Sequence, residues 1–501
     1  MFEATIWSLL PPVIAIVLAL ITKEVYSSLF IGVVAGGFMY ANFNPVKAID
    51  TIVNDGIISA VSDTAGIFVF LVILGIMVAL INKSGGSAAF GRWAEKHVKT
   101  KVGACLATFV LGVLIFIDDY FNCLTVGSVM RPVTDSHKIS RVKLAYLIDA
   151  TAAPICMIAP ISSWAAAVSE YVADGQGLTY FIKAIPYNFY SLLTLVFVVV
   201  MSAISFDYGK MSEYEIKAKK GDIIGDTDDI AKSEESVQGN PRGKVFDLLF
   251  PIIVLIIACV AALLYVGEFF SGAYKWDLAG AFGNTDATVG LPLGSLVALV
   301  ITIIYLLLRR TVSFKKAMES IPQGFIAMVP AILILTLATS LKNVTGLMDA
   351  ETYVKGILAD AGAFKSFLPV IVFLIACFLS FSTGTSWGTF GILIPIVSTA
   401  IGLDSELGLI AMSACLAGSV CGDHCSPISD TTIMSSAGAE CNHIAHVSTQ
   451  MPYAITVAAV SAVAYVIAGF VQNAFIVLPI AIVMMVATIF VIRAIVTKKA
   501  Q

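Results

Sequence analysis

The chain has 501 residues, of which 58% are hydrophobic and only 13% are charged, and its formal net charge is −4. Soluble domains carry about 25% charged residues, so this composition, with a mean hydropathy of +0.92, excludes a soluble globular protein. No basic stripe with interleaved aromatic residues indicates a nucleic-acid partner, and we expect membrane lipid around most of the chain.

Apolar runs long enough to cross a bilayer recur along almost the whole sequence, which predicts an all-α polytopic membrane protein. We interpret the first run, Trp7–Ile21, as a membrane span and not as a removed signal peptide, because no basic segment precedes it. Spans are predicted near residues 7–22, 27–41, 64–82, 143–169, 180–206, 247–266, 289–308, 323–341, 406–438, 450–470 and 474–492. Two further apolar stretches, 103–131 and 366–401, are interrupted by polar residues in the middle, and each predicts a re-entrant hairpin.

The basic residues are distributed unevenly between the two sides of this arrangement. With the N-terminus outside, 24 of the 30 Lys and Arg residues fall in segments predicted to be cytoplasmic. Such a bias follows the positive-inside rule. It predicts an outer N-terminus, a cytoplasmic C-terminus and a place in the cell inner (plasma) membrane.

A polar segment divides the chain into two halves with weak internal similarity. Lys47-Ala-Ile-Asp50 resembles Lys316-Ala-Met-Glu319, and Pro160-Ile-Ser-Ser163 resembles Pro427-Ile-Ser-Asp430. An odd number of crossings in each half would invert one half relative to the other, as in many transporters. We therefore predict inverted repeats of about five transmembrane helices plus one re-entrant hairpin each. The predicted domains are a first repeat (1–206), a cytoplasmic linker (207–246), a second repeat (247–473) and an extra C-terminal transmembrane helix and tail (474–501).

The first polar interruption lies at the tip of the first hairpin and contains Asp118, Asp119 and Asn122. Two carboxylates at membrane depth cost about 2.5–3.5 kcal/mol each on insertion scales. They persist where they face water, a cation or a shared proton, which predicts a proton or cation site. The alternative is that one of them caps the half-helix that follows, and both roles are compatible.

The second interruption, residues 149–164, contains Asp149, Ser162, Ser163 and two prolines, Pro154 and Pro160. Prolines disrupt the helix and free backbone carbonyls, which are tolerated at depth where they line a cavity or coordinate a ligand. A kink without a binding role is the alternative.

The third interruption, at the tip of the second hairpin, combines glycines with the hydroxyls of Ser382, Thr383, Thr385 and Ser386. A new half-helix begins there, so the segment suits a bound anion or a partly dehydrated cation.

The fourth interruption places ionisable and hydroxyl groups inside an otherwise apolar helix: Asp423, His424, Ser426, Ser429 and Asp430. A histidine can sense or relay a proton near physiological pH. A structural zinc site is the alternative, because cysteines and further histidines lie nearby. That site is disfavoured because no CxxC pair occurs and because His443 and His446 fall in a predicted cytoplasmic loop.

The strings GDHCSPISDTT, FSTGTSWGTFG and FIDDYFN resemble the NhaC family of Na⁺/H⁺ antiporters, within the wider ion-transporter superfamily. The resemblance runs from the first spans to about residue 470. It implies inverted repeats, two re-entrant hairpins, two discontinuous helices, sodium coupling and elevator-type movement, with a homodimer as the expected assembly. Carried over by motif, it assigns ion or substrate binding to the polar residues of the four interruptions: Asp118, Asp119, Asn122, Asp149, Ser162, Ser163, Ser382, Thr383, Thr385, Ser386, Asp423, His424, Ser426, Ser429 and Asp430.

The leading functional hypothesis is therefore Na⁺/H⁺ antiport, with Asp118, Asp119 and Asp430 as candidate Na⁺ ligands. The alternative is Na⁺-coupled transport of an amino acid or small organic acid, because the hydroxyls and Trp164 and Trp387 could line a solute site. A channel is disfavoured by the paired hairpins, and an enzyme by the absence of a nucleophile motif. We expect no bound cofactor, with Na⁺ and H⁺ as the transported or coupling ions.

Overall fold

The computed structural model describes residues 2–22, 24–169, 177–225, 240–349, 352–353, 362–402, 405–427 and 429–499. Within these residues all regular elements are helices. In chain order they are α1 (Leu10–Thr22), α2 (Val25–Tyr40), α3 (Pro45–Asp50), α4 (Ser59–Ser84), α5 (Gly86–His97), α6 (Lys101–Leu114), α7 (Asp119–Ser136), α8 (Arg141–Asp149), α9 (Ala153–Cys156), α10 (Ser163–Ser169), α11 (Gly177–Ala184), α12 (Phe189–Ala203), α13 (Lys210–Lys219), α14 (Phe246–Val266), α15 (Leu278–Gly283), α16 (Ala287–Leu308), α17 (Phe314–Leu347), α18 (Leu368–Thr383), α19 (Ser386–Ile401), α20 (Glu406–Cys425), α21 (Asp430–Ala439), α22 (His443–Val471) and α23 (Ala474–Lys499).

The predicted class of multi-span helical membrane protein is confirmed. In the described part of the chain, seven helices are long and apolar enough to cross a bilayer. The number rises to nine if two bent pairs each count as one span. One bent pair joins α11 to α12 at 49°, and the other lies within α17, where the axis turns by 41° at Pro330. Proline removes a helical hydrogen bond, which explains the second bend.

Both predicted hairpins are interrupted where the polar residues lie. In the first, α6 ends at Leu114 and α7 begins at Asp119. In the second, α18 ends at Thr383, Gly384 takes a left-handed conformation (φ 70°), and α19 begins at Ser386. Glycine adopts that conformation without the steric cost of a Cβ atom.

Several sequence-based span boundaries were wrong. Helix α17 begins at Phe314 and not near residue 323, and the span predicted at 406–438 is divided into α20 and α21. Residues 143–169 form three short helices, α8, α9 and α10, instead of one span, because Pro154 and Pro160 interrupt the backbone hydrogen bonds. The span predicted at 450–470 begins earlier, at His443, where Asn442 caps α22 by accepting a hydrogen bond from the Ala445 N–H at 2.7 Å. His443 and His446 therefore lie on a membrane helix and not in a loop.

Helix starts recur at a constant spacing in the two halves. The starts of α18, α19 and α21 each lie 267 residues after those of α6, α7 and α10. This spacing matches the sequence similarities that suggested a repeat. The inverted orientation of the halves stays a prediction.

The helices form two packing groups. The first contains α1, α2, α4, α14, α16 and α17, and the second contains α7, α8, α12 and α18–α23. Within the first group, α4 and α17 meet at Gly75 and Gly324, where a Cβ on Gly75 would lie 2.4 Å from the Gly324 carbonyl oxygen. Within the second, α7 and α21 meet at Gly127 and Gly438. Small residues at such crossings let helix backbones approach closely in a membrane.

Candidate functional site

The paired aspartates of the first hairpin are buried at the start of α7. Asp118 is 2% exposed and Asp119 is 1% exposed. The Asn122 N–H donates to the Asp118 carbonyl oxygen at 3.0 Å, which closes the first turn of the helix. Carboxylates in this position are stabilised by the positive end of the helix dipole. The arrangement is compatible with both the predicted capping role and a cation site.

Asn122 joins the first hairpin to the second interruption. Its side-chain Nδ2 lies within hydrogen-bond distance of the carbonyl oxygens of Gly112 (2.8 Å), Ile115 (3.0 Å) and Thr151 (3.1 Å). The backbone makes a second link, because the Ser163 N–H donates to the Ile117 carbonyl oxygen at 3.0 Å. The structure therefore brings the first and second interruptions together.

The indoles that begin the two half-helices α10 and α19 also meet. Trp164 and Trp387 are buried, with ring centroids 5.7 Å apart, and both rings pack against Phe390. In the described part of the chain neither indole Nε1 has a hydrogen-bond acceptor, and the Ser163 hydroxyl is also unpartnered. A buried N–H donor without an acceptor costs free energy, so this aromatic junction has unused capacity for a polar ligand.

Most of the predicted hydroxyl residues make hydrogen bonds that stabilise the interruptions. Three are helix caps: the hydroxyls of Ser162, Thr385 and Ser429 accept from the backbone N–H groups of Ala165, Gly388 and Thr432. Ser386 donates to the Ser419 carbonyl oxygen (3.2 Å) and Thr383 to that of Leu379 (2.9 Å). Ser382 is half-buried and Ser426 is fully buried. These hydrogen bonds give most of the hydroxyl residues a structural role. The assignment of these residues to ligand binding stays a prediction.

In the fourth interruption, Asp423 is buried at the end of α20 and its Oδ2 accepts a hydrogen bond from the Thr431 hydroxyl at 2.8 Å. Asp430 begins α21, but its side chain lies outside the described residues. The predicted Na⁺-ligand role of Asp430 therefore has no structural counterpart here.

A further buried carboxylate, that of Asp149 at the end of α8, is surrounded by residues from the other half of the chain. Its Oδ2 accepts hydrogen bonds from Gln450 Nε2 (2.6 Å) and from the Thr432 hydroxyl (3.2 Å). His446 Nε2 lies 3.5 Å from the same oxygen, and His424 Nε2 lies 4.0 Å from Oδ1. All five side chains are at most 2% exposed.

Sequence reasoning selected both Asp149 and His424 for binding, but it placed them in separate interruptions. It named His446 only in the disfavoured zinc alternative, and it missed Gln450 and Thr432. His446 was assigned to a loop because the apolar run that defines α22 begins only near residue 450. A usable signal was present: His446 and Gln450 are four residues apart and therefore share a helix face, directly after an Asn cap.

Among the described residues, no group of three or more His, Cys, Asp or Glu side chains has the geometry of a metal site. The zinc alternative raised by Cys421, Cys425 and Cys441 therefore gains no support from the part of the chain that the structure describes.

Comparison with known proteins places most of the chain in one family. Residues 165–470 match the model of the Na⁺/H⁺ antiporter family. That region includes the second hairpin and the fourth interruption, whereas Asp118, Asp119 and Asp149 precede it.

Three curated relatives are similar to this chain. An uncharacterized protein of Haemophilus influenzae is 38% identical over 490 residues, which cover 94% of this chain and 92% of that protein. An uncharacterized Na⁺/H⁺ antiporter of the same organism is 40% identical over 114 residues, covering 21% of this chain and 23% of the relative. A malate-2H⁺/Na⁺-lactate antiporter of Bacillus subtilis is 35% identical over 98 residues, covering 19% of this chain and 21% of the relative.

Proposed function

Because this chain belongs to the Na⁺/H⁺ antiporter family, we propose that it is a secondary active transporter that exchanges Na⁺ for H⁺ across the inner membrane. The observation that carries the proposal is the pair of adjacent, buried carboxylates, Asp118 and Asp119, at the tip of an interrupted hairpin. Broken segments of this kind, at membrane depth, form the ion sites of many transporters.

The carboxylate pair suits an exchanged cation. Two adjacent buried acids repel each other when both are ionised, so a proton or a cation is needed to compensate one charge. Oxygen ligands are those that hard cations prefer, and both the carboxylates and the carbonyls freed at the break are oxygens. Na⁺ and H⁺ can therefore each compensate buried negative charge, which is the physical basis of exchange.

The two packing groups support an elevator mechanism as part of this proposal. In it, the group containing α7 and α18–α23 carries the interrupted segments and moves against the group containing α4, α14, α16 and α17. Alternating access in transporters is largely a rigid-body displacement of one helix bundle against another, and in an elevator the bound ion travels with the moving bundle. A homodimer held through the static group remains the expected assembly.

The aromatic junction favours a second candidate function, Na⁺-coupled movement of an organic solute. Trp164 and Trp387 present two unpartnered N–H donors beside the Ser163 hydroxyl. A bare Na⁺ cannot accept a hydrogen bond from them. A carboxylate or amino-acid solute would accept from them. One relative carries malate and lactate in its name.

The test is reconstitution in liposomes that contain a pH-sensitive dye, with an imposed Na⁺ gradient, with and without a mixture of amino acids and small carboxylates. Antiport predicts an internal pH change driven by Na⁺ alone that D118N and D119N each abolish. D55N, at an exposed aspartate on the π-helical segment Thr51–Ile58 that joins α3 to α4, is the matched control and retains the wild-type rate. If Na⁺ drives accumulation of a solute, and no pH change occurs when solutes are absent, the second candidate replaces antiport.

A further inference from the structure

The Asp149 cluster has unused hydrogen-bonding capacity in a fully buried place. Besides the contacts described above, five of its polar atoms have no hydrogen-bond partner in the described chain: Asp149 Oδ1, His424 Nε2, both ring nitrogens of His446 and Gln450 Oε1. Buried polar groups are normally satisfied, and each exception carries a desolvation cost. Such a concentration of exceptions around one carboxylate indicates that the cluster binds something exchangeable.

The chemistry of the cluster favours a proton over a metal cation. Imidazole nitrogens are poor ligands for Na⁺, which prefers oxygen. Among the described residues, no group of three or more His, Cys, Asp or Glu side chains is arranged as a metal site. An ionised carboxylate alone at this depth is expensive. One proton on a neighbouring imidazole makes the Asp149–His446 pair formally neutral, whereas its loss leaves one net negative charge.

Other titratable groups around Asp149 do not change this charge balance near neutral pH. Cys123 of α7, Tyr146 of α8 and Cys425 of α20 lie close enough to Asp149 to interact with it electrostatically. From α12, the Tyr190 hydroxyl lies 3.2 Å from His424 Nδ1. Thiols and phenols are ordinarily neutral at pH 7. On α20, Asp423 precedes His424, and its carboxylate binds Thr431 instead; the side chain of Asp430 on α21 is not described.

We infer that Asp149 and His446 form a proton-binding site, with His424 facing the second carboxylate oxygen, that is separate from the paired aspartates at the tip of the first hairpin. This inference deepens the proposed function. The role of the site in transport rests on that proposed function, whereas proton binding at the site does not. Four helices, α8, α20, α21 and α22, contribute the residues of the site.

The site is linked to the first hairpin by a short route. Thr151, two residues after Asp149, presents its carbonyl oxygen to Asn122, which lies in the first turns of α7 beside Asp119. When the proton leaves Asp149–His446, the net negative charge in a buried place opposes movement of the carrier. A Na⁺ bound at Asp118 and Asp119 restores the balance, so proton loss and Na⁺ binding become coupled.

The decisive experiment separates proton coupling from Na⁺ binding. His446→Gln and Asp149→Asn are reconstituted, and two rates are measured: Na⁺-driven proton movement, and exchange of radiolabelled Na⁺ for unlabelled Na⁺ at equal concentrations on both sides. We expect proton movement to fall at least about a hundredfold, as expected for loss of a proton-transfer group, while Na⁺/Na⁺ exchange stays within a factor of about two. His97→Gln, at an exposed histidine on α5, is the control and leaves both rates unchanged.

Parallel loss of both rates with a lowered unfolding temperature would show a purely structural cluster and overturn the inference. Unchanged proton coupling in H446Q would overturn it as well. If the wild-type protein itself moves no protons with Na⁺, the proposed function fails, and the proton site is then decided by a measurement that needs no transport.

That second measurement uses the small number of histidines, five in the whole chain. The triple variant H97Q/H137Q/H443Q keeps only the two histidines of the cluster, and labelled imidazole resonances are followed by NMR as pH is varied. A pH-dependent resonance whose midpoint moves when Asp149→Asn is added supports the proton site. Two resonances that do not change with pH exclude it.

Discussion

At the scale of single residues, Asn122 shows how one side chain serves two interruptions at once. Helix α6 ends at Leu114, and carbonyls near a helix end have no intrahelical donor. Asn122 Nδ2 lies within reach of the carbonyl oxygens of Gly112 and Ile115 at this helix end, and of Thr151 across the break. The amide nitrogen, and not the oxygen, is therefore the atom that the surrounding backbone uses.

The substitution Asn122→Asp tests this role. It keeps the shape but removes the donor and adds an acceptor beside three carbonyls, so we expect the protein to lose roughly 2 kcal/mol of stability and a corresponding part of its unfolding temperature. Thermal unfolding in detergent measures the effect, with Asn122→Ala as the comparison. If Asn122 acts chiefly as a Na⁺ ligand through its oxygen, Asn122→Asp would instead retain stability and need less Na⁺ for half-maximal transport.

The positions of the polar interruptions could be predicted from the sequence because polar residues stand out in an apolar run. Their roles could not be predicted in the same way. A serine that caps a helix, such as Ser162 or Ser429, and a serine that binds an ion are alike in sequence, since the difference depends on which backbone groups lie within 3.5 Å. For that reason, ligand binding by the fifteen candidate residues stays a prediction.

At the scale of helices, the crossing of α4 and α17 depends on the absence of side chains at its centre. A Cβ on Gly75 would lie 2.4 Å from a backbone oxygen of Gly324, closer than van der Waals contact permits. We predict that Gly75→Ala separates the two helices and costs about 1–3 kcal/mol, measured as a lower unfolding temperature in detergent. Gly346→Ala is the matched control, because that helical glycine of α17 has nothing within 4 Å of the added methyl group.

Since alanine is favoured over glycine within a helix, the control variant should be as stable as the wild type or slightly more stable. Equal losses in both variants would mean that helix conformation, and not the close approach of α4 to α17, determines the result.

The linker predicted at 207–246 is not wholly a free polar segment. Its first helix, α13, packs against α8 and α22, and Glu215 on α13 accepts hydrogen bonds from the backbone and hydroxyl of Ser140 and pairs with Lys101. Lys143 pairs with Asp207 at 2.7 Å in the same network. Residues 226–239 lie outside the described part of the chain. This docking could not be predicted from the sequence, because charged residues of a linker are ordinarily solvated.

Glu215 should make the docking of α13 sensitive to acid. Burial alone would raise the pKa of Glu215, but the charges of Lys143 and Lys101 and the hydrogen bonds from Lys101 and Ser140 outweigh it, so the pKa lies below its ordinary value of 4.5. A lowered pKa in the folded state adds stability that is complete above pH 4.5 and is lost as pH falls through the folded-state value.

We therefore expect Glu215→Gln to lower stability at neutral pH by about 2 kcal/mol, because it removes the ion-pair partner of the partly exposed Lys101, while Lys143 keeps Asp207. The loss should shrink as pH falls below 4.5. Unfolding temperatures of both proteins between neutral and acidic pH measure this difference. A gap between the two curves that stays constant with pH would contradict the assignment to Glu215 ionisation.

At the scale of the whole molecule, the contacts between halves could not have been inferred from hydropathy. Hydropathy predicts where helices begin and end, and it located both interrupted segments and most of the apolar helices. The packing of α7 on α21, and of Asp149 on α22, joins residues about 300 positions apart. Those contacts depend on small residues and on single polar pairs, and neither produces a periodic signal.

The orientation of the chain in the membrane is the remaining prediction at this scale. The excess of Lys and Arg on one side places Lys47 outside and the linker inside.

Lys47 on α3 and Lys210 on α13 are both exposed, so a cysteine at either position is open to reagents. In intact spheroplasts, a membrane-impermeant maleimide should label K47C at once and should label K210C only after permeabilisation. The native protein gives the background, which should be low because its nine cysteines are buried or only partly exposed. The opposite labelling pattern would mean that the molecule is inserted the other way up, with the linker outside and Lys47 in the cytoplasm.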